Sequence, residues 1–187
     1  MKHNICIQYK HVRIRPLKEE DLENLRKWRN DKEISAFLRK IDEITPEMQK
    51  EWYVKDCEDK SVVTFAIDEI NTLNRMVGSV SIYDIKNDTA EIGKIVVGDN
   101  EAKGKKIGYY ALLLAMFAGY KRLGINKYLG EVSEENKPAY INDMRAGFII
   151  TGKHDCENGG SELEMILPKE NFFAKHDFLD EFEIIEY

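Results

Sequence analysis

The sequence predicts an α/β sandwich with a mixed, mostly antiparallel sheet flanked by helices, and a few observations carry that expectation. Residues Ser61 to Gly98 hold successive strand-type stretches separated only by the polar turns NTLNR and KNDT, which reads as an antiparallel meander. A loop bearing glycines and lysines then leads into a long apolar helix that ends at Gly124. After it come a strand, a capped helix and a closing pair of strands, the order expected of helices layered on a sheet.

Each element has its own signal. HVRIRPL, His11 to Leu17, alternates Val12 and Ile14 with arginines expected to face solvent, and Pro16 closes it. From Lys18, EEDLENLRKWRND places Leu22, Leu25, Trp28 and Arg29 at helical spacing, with acids in the first turn where the dipole favours them. Thr45-Pro46 starts a second helix, a capping hydroxyl followed by proline, and Met48, Trp52 and Tyr53 line one face of it. Helical spacing favours core packing for Trp28, whereas Arg29, Trp52 and Tyr53 stay open between packing and substrate contact.

SVVTFAID, from Ser61, is a buried strand. In Met76 to Ile85, Val77, Ser79 and Ser81 are expected on one face and Val80 and Ile82 on the other. Ala90 to Gly98 completes the meander, and Asn126 to Glu134 is the next strand. Asn136 caps a helix through Ala139, Ile141 and Met144 towards Gly147, and GFIITGK and SELEMILP close the sheet. The acidic, aromatic tail KENFFAKHDFLDEFEIIEY reads either as an edge element or as a partner surface.

Composition excludes several classes. The chain has 187 residues, 43% hydrophobic and 33% charged, with no repeat or linker, so one domain over residues 1–187 is expected. No apolar run reaches the ~18 residues of a membrane span, and MKHNICIQYKHVRIR lacks a signal-peptide pattern, which together imply no membrane partner and a cytoplasmic location. Cys6, Cys57 and Cys156 are odd in number and far apart, as reduced thiols would be. The histidines show no spacing that would clamp a metal with a neighbouring Cys, Asp or Glu, so no metal is expected. A net charge of −6 argues against nucleic acid and tilts the choice of ligand towards cations such as amines.

The informative stretch is VGDNEAKGKKIG, Val97 to Gly108. A strand that stops before a helix N-terminus leaves unpaired N–H groups pointing into one concavity, and with the helix dipole these suit a pyrophosphate. Gly104 and Gly108 let phosphate oxygens approach, and Lys103, Lys105 and Lys106 add positive charge. A solvated turn would carry the same residues, so the loop alone leaves both readings open. Neither a GxxxxGK[ST] loop nor a GxGxxG after a first strand is present.

From Val12 to Leu167 the sequence resembles the GNAT superfamily of N-acetyltransferases, leaving 168–187 as a tail. The family's phosphate loop, Q/R-x-x-G-x-G/A, is matched by Lys103, Lys106 and Gly108, with Gly104 inside it and Ile107 opening the helix. Its N-x-x-A-(x)n-G-F signature is matched by Asn136, Ala139, Gly147 and Phe148. IVVGDNEAKGKKIGYYALLL and VRIRPLKEEDLENLRKWRND look most like the branch that acetylates ribosomal-protein N-termini, polyamines, nucleotide-linked amino sugars and some antibiotics. The resemblance implies a three-layer GNAT sandwich, acetyl-CoA as co-substrate, a primary amine as acceptor and room for a homodimer. It also implies that Ile95, Val96 and Val97 hydrogen-bond the pantetheine arm, that a backbone N–H there faces the oxyanion, and that Asn136 contacts a pantetheine amide.

Two positions depart from the pattern. The usual middle glycine of the loop is Lys106, and the tyrosine that often serves as general acid is Asp143, a carboxylate that protonates a thiolate at neutral pH only if burial raises its pKa. For the acid, Tyr140, one helical turn earlier, is the replacement. For the base, Glu91 at the start of the fourth strand is the first candidate and Glu131 the second. Lys94, an odd number of residues from Glu91, is expected on the opposite face of the pleat.

The expected function is acetyl transfer to a small-molecule amine, an amino sugar or a polyamine, by direct attack in a ternary complex. The alternatives are a ribosomal-protein N-terminal acetyltransferase, a non-catalytic acyl-CoA-binding domain, which Asp143 keeps open, and an interaction module using the tail.

Overall fold

The computed structural model describes residues 1–35, 42–156 and 160–187. In chain order it contains β1 (Cys6–Tyr9), β2 (Val12–Pro16), α1 (Leu22–Asn30), α2 (Pro46–Glu58), β3 (Val63–Glu69), β4 (Arg75–Lys86) and β5 (Thr89–Val97). There follow α3 (Ile107–Arg122), β6 (Lys127–Ser133), α4 (Lys137–Ala146), β7 (Ile149–Asp155), β8 (Ser161–Pro168), α5 (Lys169–Lys175) and β9 (Glu183–Ile185). The strands form one sheet in the order β7-β8-β6-β5-β4-β3-β2-β1-β9, antiparallel except for the parallel pair β5 and β6. This is the expected mixed, mostly antiparallel sheet. Among the described residues no helix is long and apolar enough to cross a membrane.

The sheet has an apolar layer on each face. Phe65 and Ile67 of β3 belong to the main core with α3, whose inner residues Leu112, Leu113 and Met116 are fully buried. Ala66, between them, belongs to a second cluster with Leu17, Leu22, Leu25 and Met76, so α1 and α2 cover the other face. Helices on both faces make the three layers.

Several local expectations need correction. The arginines of β2 do not both face water: Arg15 is buried, with Nη1 donating to Asp21 Oδ2 at 2.7 Å and Nε to Asp68 Oδ2 at 3.0 Å. A buried guanidinium persists because both flanking carboxylates satisfy it. Val77 lies in the same core cluster as Val80 and Ile82, not opposite them, because the register slips at Ile67/Asp68 and reverses the alternation. On α2, Met48 and Trp52 are exposed, and Gln49 and Tyr53 turn inward, with the Tyr53 hydroxyl donating to the Leu17 carbonyl at 3.2 Å. The tail supplies an edge element: β9 pairs with β1, itself a strand that the sequence reading passed over, and Phe172 and Phe182 are buried in the main core.

Candidate active site

The site begins where the parallel pair ends. β5 and β6 pair only from Thr89–Lys127 to Glu91–Leu129, while β5 stays paired with β4 as far as Val97. Among the described residues the β6-facing edge of β5 beyond Glu91, through Ile95, Val96 and Val97, has no strand partner, so its N–H and C=O groups are free to bond an extended ligand. The Val96 side chain is buried in the core, so Val96 offers a ligand only its backbone.

A bulge shapes this strand. Lys94 has φ 51°, and the β4–β5 register shifts between Ser79/Val96 and Ser81/Gly93. The bulge overturns the expected separation of Lys94 from Glu91. Tyr83 pairs with Glu91 across the strands, and the Lys94 ammonium lies 3.9 Å from the centre of that tyrosine ring. Glu91, Tyr83 and Lys94 therefore share one neighbourhood. Burial pushes the Glu91 carboxyl above the usual range; the Tyr83 hydroxyl beside it pulls it back, and Asp84 and Glu131 push it up again. Glu131 thus lies close enough to be felt electrostatically at Glu91.

The loop folds as a cradle at the N-terminus of α3. A cavity of about 600 Å³ is lined by Lys103, Gly104, Lys106, Ile107 and Gly108, by Val97 and Tyr109, and from α4 by Pro138, Asn142 and Arg145. Among the described residues no side chain caps α3, and no acid lies in its first turn, so its first amides and its dipole remain available to an anion. Gly108 faces Val97 and Ile95, and a Cβ there would stand 3.6 Å from Val97 Cγ2, an ordinary contact. Lys106 has φ 59°, the left-handed conformation that glycine usually supplies, which explains why this position is the family's middle glycine. Lys105 points elsewhere: its Nζ reaches Thr72 Oγ1 at 3.3 Å and its carbonyl accepts from His11 Nε2 at 2.9 Å.

Helix α4 carries the remaining candidates. Asn136 caps it, its Oδ1 accepting from the Ala139 N–H at 3.3 Å. Tyr140 lines an adjoining cavity of about 530 Å³ with Ile141, Met144 and His176, which shares Tyr109 and Arg145 with the loop cavity. Asp143 is half-buried, none of the described hydrogen bonds reaches its carboxylate, and burial pushes its pKa up to about 7. The condition for a carboxylate to serve as an acid at neutral pH is thereby met.

Sequence reasoning missed Arg145, Asn142 and Tyr83. The spacing of Pro138, Asn142 and Arg145 puts them on one helical face, a signal that was readable. Tyr83 depends on strand register, which was not. Trp28 packs as expected: a Cβ on Gly98 would stand 2.1 Å from its indole, so only glycine fits where β5 ends.

The sheet thus opens between β5 and β6 beside a cation-lined helix N-terminus. Residues 11–148 match the acetyltransferase (GNAT) domain, and the chain belongs to that family. It is 26% identical to the N-acetyltransferase 9-like protein of Caenorhabditis briggsae, over 91% of this chain and 89% of that one. Its fold is similar to spermidine N-acetyltransferase from Vibrio cholerae in complex with CoA and spermine, at TM-score 0.76 and 19% identity, covering 87% of this chain and 98% of that one. Ribosomal-protein-S5-alanine acetyltransferase from Vibrio fischeri aligns at TM-score 0.75 and 17% identity, over 90% and 99% of the two chains. The protein is an N-acetyltransferase.

Proposed function

We propose that the protein transfers the acetyl group of acetyl-CoA to a primary amine by direct attack in a ternary complex. The observation that carries this reading is that the β5 edge left open beyond Glu91 runs to Val97, which lines the cavity at the cation-lined N-terminus of α3. Lys103, Lys106 and Arg145 neutralise the pyrophosphate, and the free edge of Ile95 to Val97 aligns the pantetheine arm, with Asn136 at its amide. Holding both reactants in line supplies ~7–11 kcal/mol of the barrier without further chemistry.

An alkyl amine with a pKa near ~10.4 arrives protonated, so a base must act first. Glu91 accepts that proton, directly or through water, and its raised pKa makes it a stronger base than an exposed glutamate. The departing sulfur takes a proton from Asp143, whose pKa of about 7 keeps much of it protonated at neutral pH. Tyr140 is the alternative donor. Tyr83 and Lys94 position Glu91.

The acceptor is a small cationic amine, a polyamine or an amino sugar. Glu91, Glu131 and Asp84 close together give a negative field where the sheet opens, and the net charge of −6 acts in the same sense. A protein N-terminus is the second reading, favoured by the likeness to the S5-alanine enzyme. Thiol release from acetyl-CoA, with product masses, over spermidine, a nucleotide-linked amino sugar and short peptides separates them. Polyamine or amino-sugar turnover supports the first reading, peptide-only turnover the second, and no turnover with any amine defeats both.

A further inference from the structure

The β7–β8 hairpin presents donor atoms of three chemistries on one face. His154 stands directly opposite Glu162 in the ladder, and Cys156, two residues on, shares that face, its N–H donating to the Gly160 carbonyl at 2.7 Å. A His154 ring nitrogen, Cys156 Sγ and a Glu162 oxygen all lie within 4.8 Å of one another. His154 Nε2 is 3.6 Å from Glu162 Oε2, beyond a hydrogen bond. Two donors bound at ~2.0–2.2 Å to a tetrahedral ion stand roughly 3.3–3.6 Å apart, so this pair is already at the spacing a cation imposes. The other ring nitrogen, Nδ1, is 3.5 Å from Glu164 Oε1. At that distance Glu164 is an electrostatic neighbour of the ring and not yet a hydrogen-bond partner, and it stands where a carboxylate commonly supports a metal-bound imidazole.

We propose that His154, Cys156 and Glu162 form a site for a zinc-class divalent cation, with Glu164 as the supporting carboxylate and the fourth position open to water. Imidazole, thiolate and carboxylate together are a borderline donor set that suits zinc and disfavours magnesium or calcium. Binding exchanges the thiol proton for the metal; the proton leaves to solvent, and one thiolate with one carboxylate balance the ion's charge. A bound amine would explain the carboxylates but would need neither the thiol nor the imidazole. This departs from the expectation of no metal site, because the spacing along the chain is uninformative: antiparallel register brings Glu162 to His154. The site is independent of the acyl-transfer reading.

The test titrates cobalt(II), as a spectroscopic substitute for zinc, into the full chain and reads absorbance. The expected result is a sulfur-to-cobalt charge-transfer band saturating at one ion per chain and displaced by zinc. Cys156→Ser abolishes the band, Cys57→Ser retains it, and His154→Ala and Glu162→Gln each weaken zinc binding by about tenfold or more. Circular dichroism and acetyl-CoA binding establish that the variants are folded, and Glu162→Gln, the mildest change, keeps the test decisive if another variant is not. Absence of the band in the folded wild type, or its persistence in Cys156→Ser, overturns the site.

Discussion

Glu91 and Leu129 are the last residues at which β5 and β6 pair, so the Glu91 carboxylate stands where the sheet opens. That position underlies its assignment as base. Glu91→Gln is expected to lower kcat by ~10²–10⁴ at neutral pH and to recover at high pH, where the amine deprotonates unaided. Because burial raises the Glu91 pKa, activity in the wild type falls on acidification earlier than for an ordinary glutamate, and Glu91→Gln removes that limb. A full pH–rate profile checks both. Near-wild-type rates at pH 7 would transfer the role to Glu131.

Asp143 gives a pH signature of the opposite sense. As an acid with a pKa of about 7 it loses its proton above neutrality, so proton delivery to the sulfur declines as pH rises. Asp143→Asn is expected to lower kcat below pH 7 and to flatten the alkaline limb. Stability follows from the same shift. The folded state holds this proton more tightly than the unfolded chain, so its contribution is complete below the unfolded pKa of ~3.9 and is lost as pH rises through about 7. After discounting for partial exposure, Asp143→Asn is expected to stabilise the protein at pH 8 relative to pH 4 by on the order of 1–2 kcal/mol. Urea denaturation of both proteins at the two pH values reads this.

Tyr140 separates the two acid candidates. If it donates the proton, Tyr140→Phe lowers kcat with little change in the KM for acetyl-CoA. With Asp143 as donor the substitution leaves kcat within about twofold, since only a hydroxyl bordering the adjoining cavity is lost.

Lys106 holds a left-handed conformation that costs a side-chain-bearing residue ~1–2 kcal/mol. Lys106→Gly relieves that strain and is expected to raise thermal stability. If the ammonium contacts phosphate, Lys106→Ala weakens acetyl-CoA binding and flattens its salt dependence. Calorimetry at two ionic strengths checks the charge, and equal affinity in all three proteins would show that the side chain does not contact phosphate.

Much of this fold could be read before the structure because its signals are local. Thr45 accepts from the Met48 N–H at 3.2 Å, and Asn136 caps α4, as their residue types predict. The loop from Lys103 to Gly108 was legible as a break between a strand and an apolar helix, although a solvated turn would carry the same glycines and lysines. What was not legible depends on register. The slip at Ile67/Asp68 moves Val77 across the sheet, and the bulge at Lys94 brings that ammonium to Tyr83. A bulge adds one residue and inverts every later inference from alternation. Arg15 misled for another reason: its partners Asp21 and Asp68 are remote in sequence or on another element, so its burial has no local trace.

The central claim is that the N-terminus of α3 receives the pyrophosphate of acetyl-CoA. Gly108 tests it most directly, because a Cβ there meets Val97 at an ordinary 3.6 Å, so small substitutions preserve the fold. Isothermal titration of acetyl-CoA into the wild type, Gly108→Ala and Gly108→Asp is the measurement. The account predicts modest weakening for Gly108→Ala and a loss of at least about tenfold for Gly108→Asp, which sets a carboxylate against the phosphates. Unchanged affinity in a folded Gly108→Asp protein would contradict it.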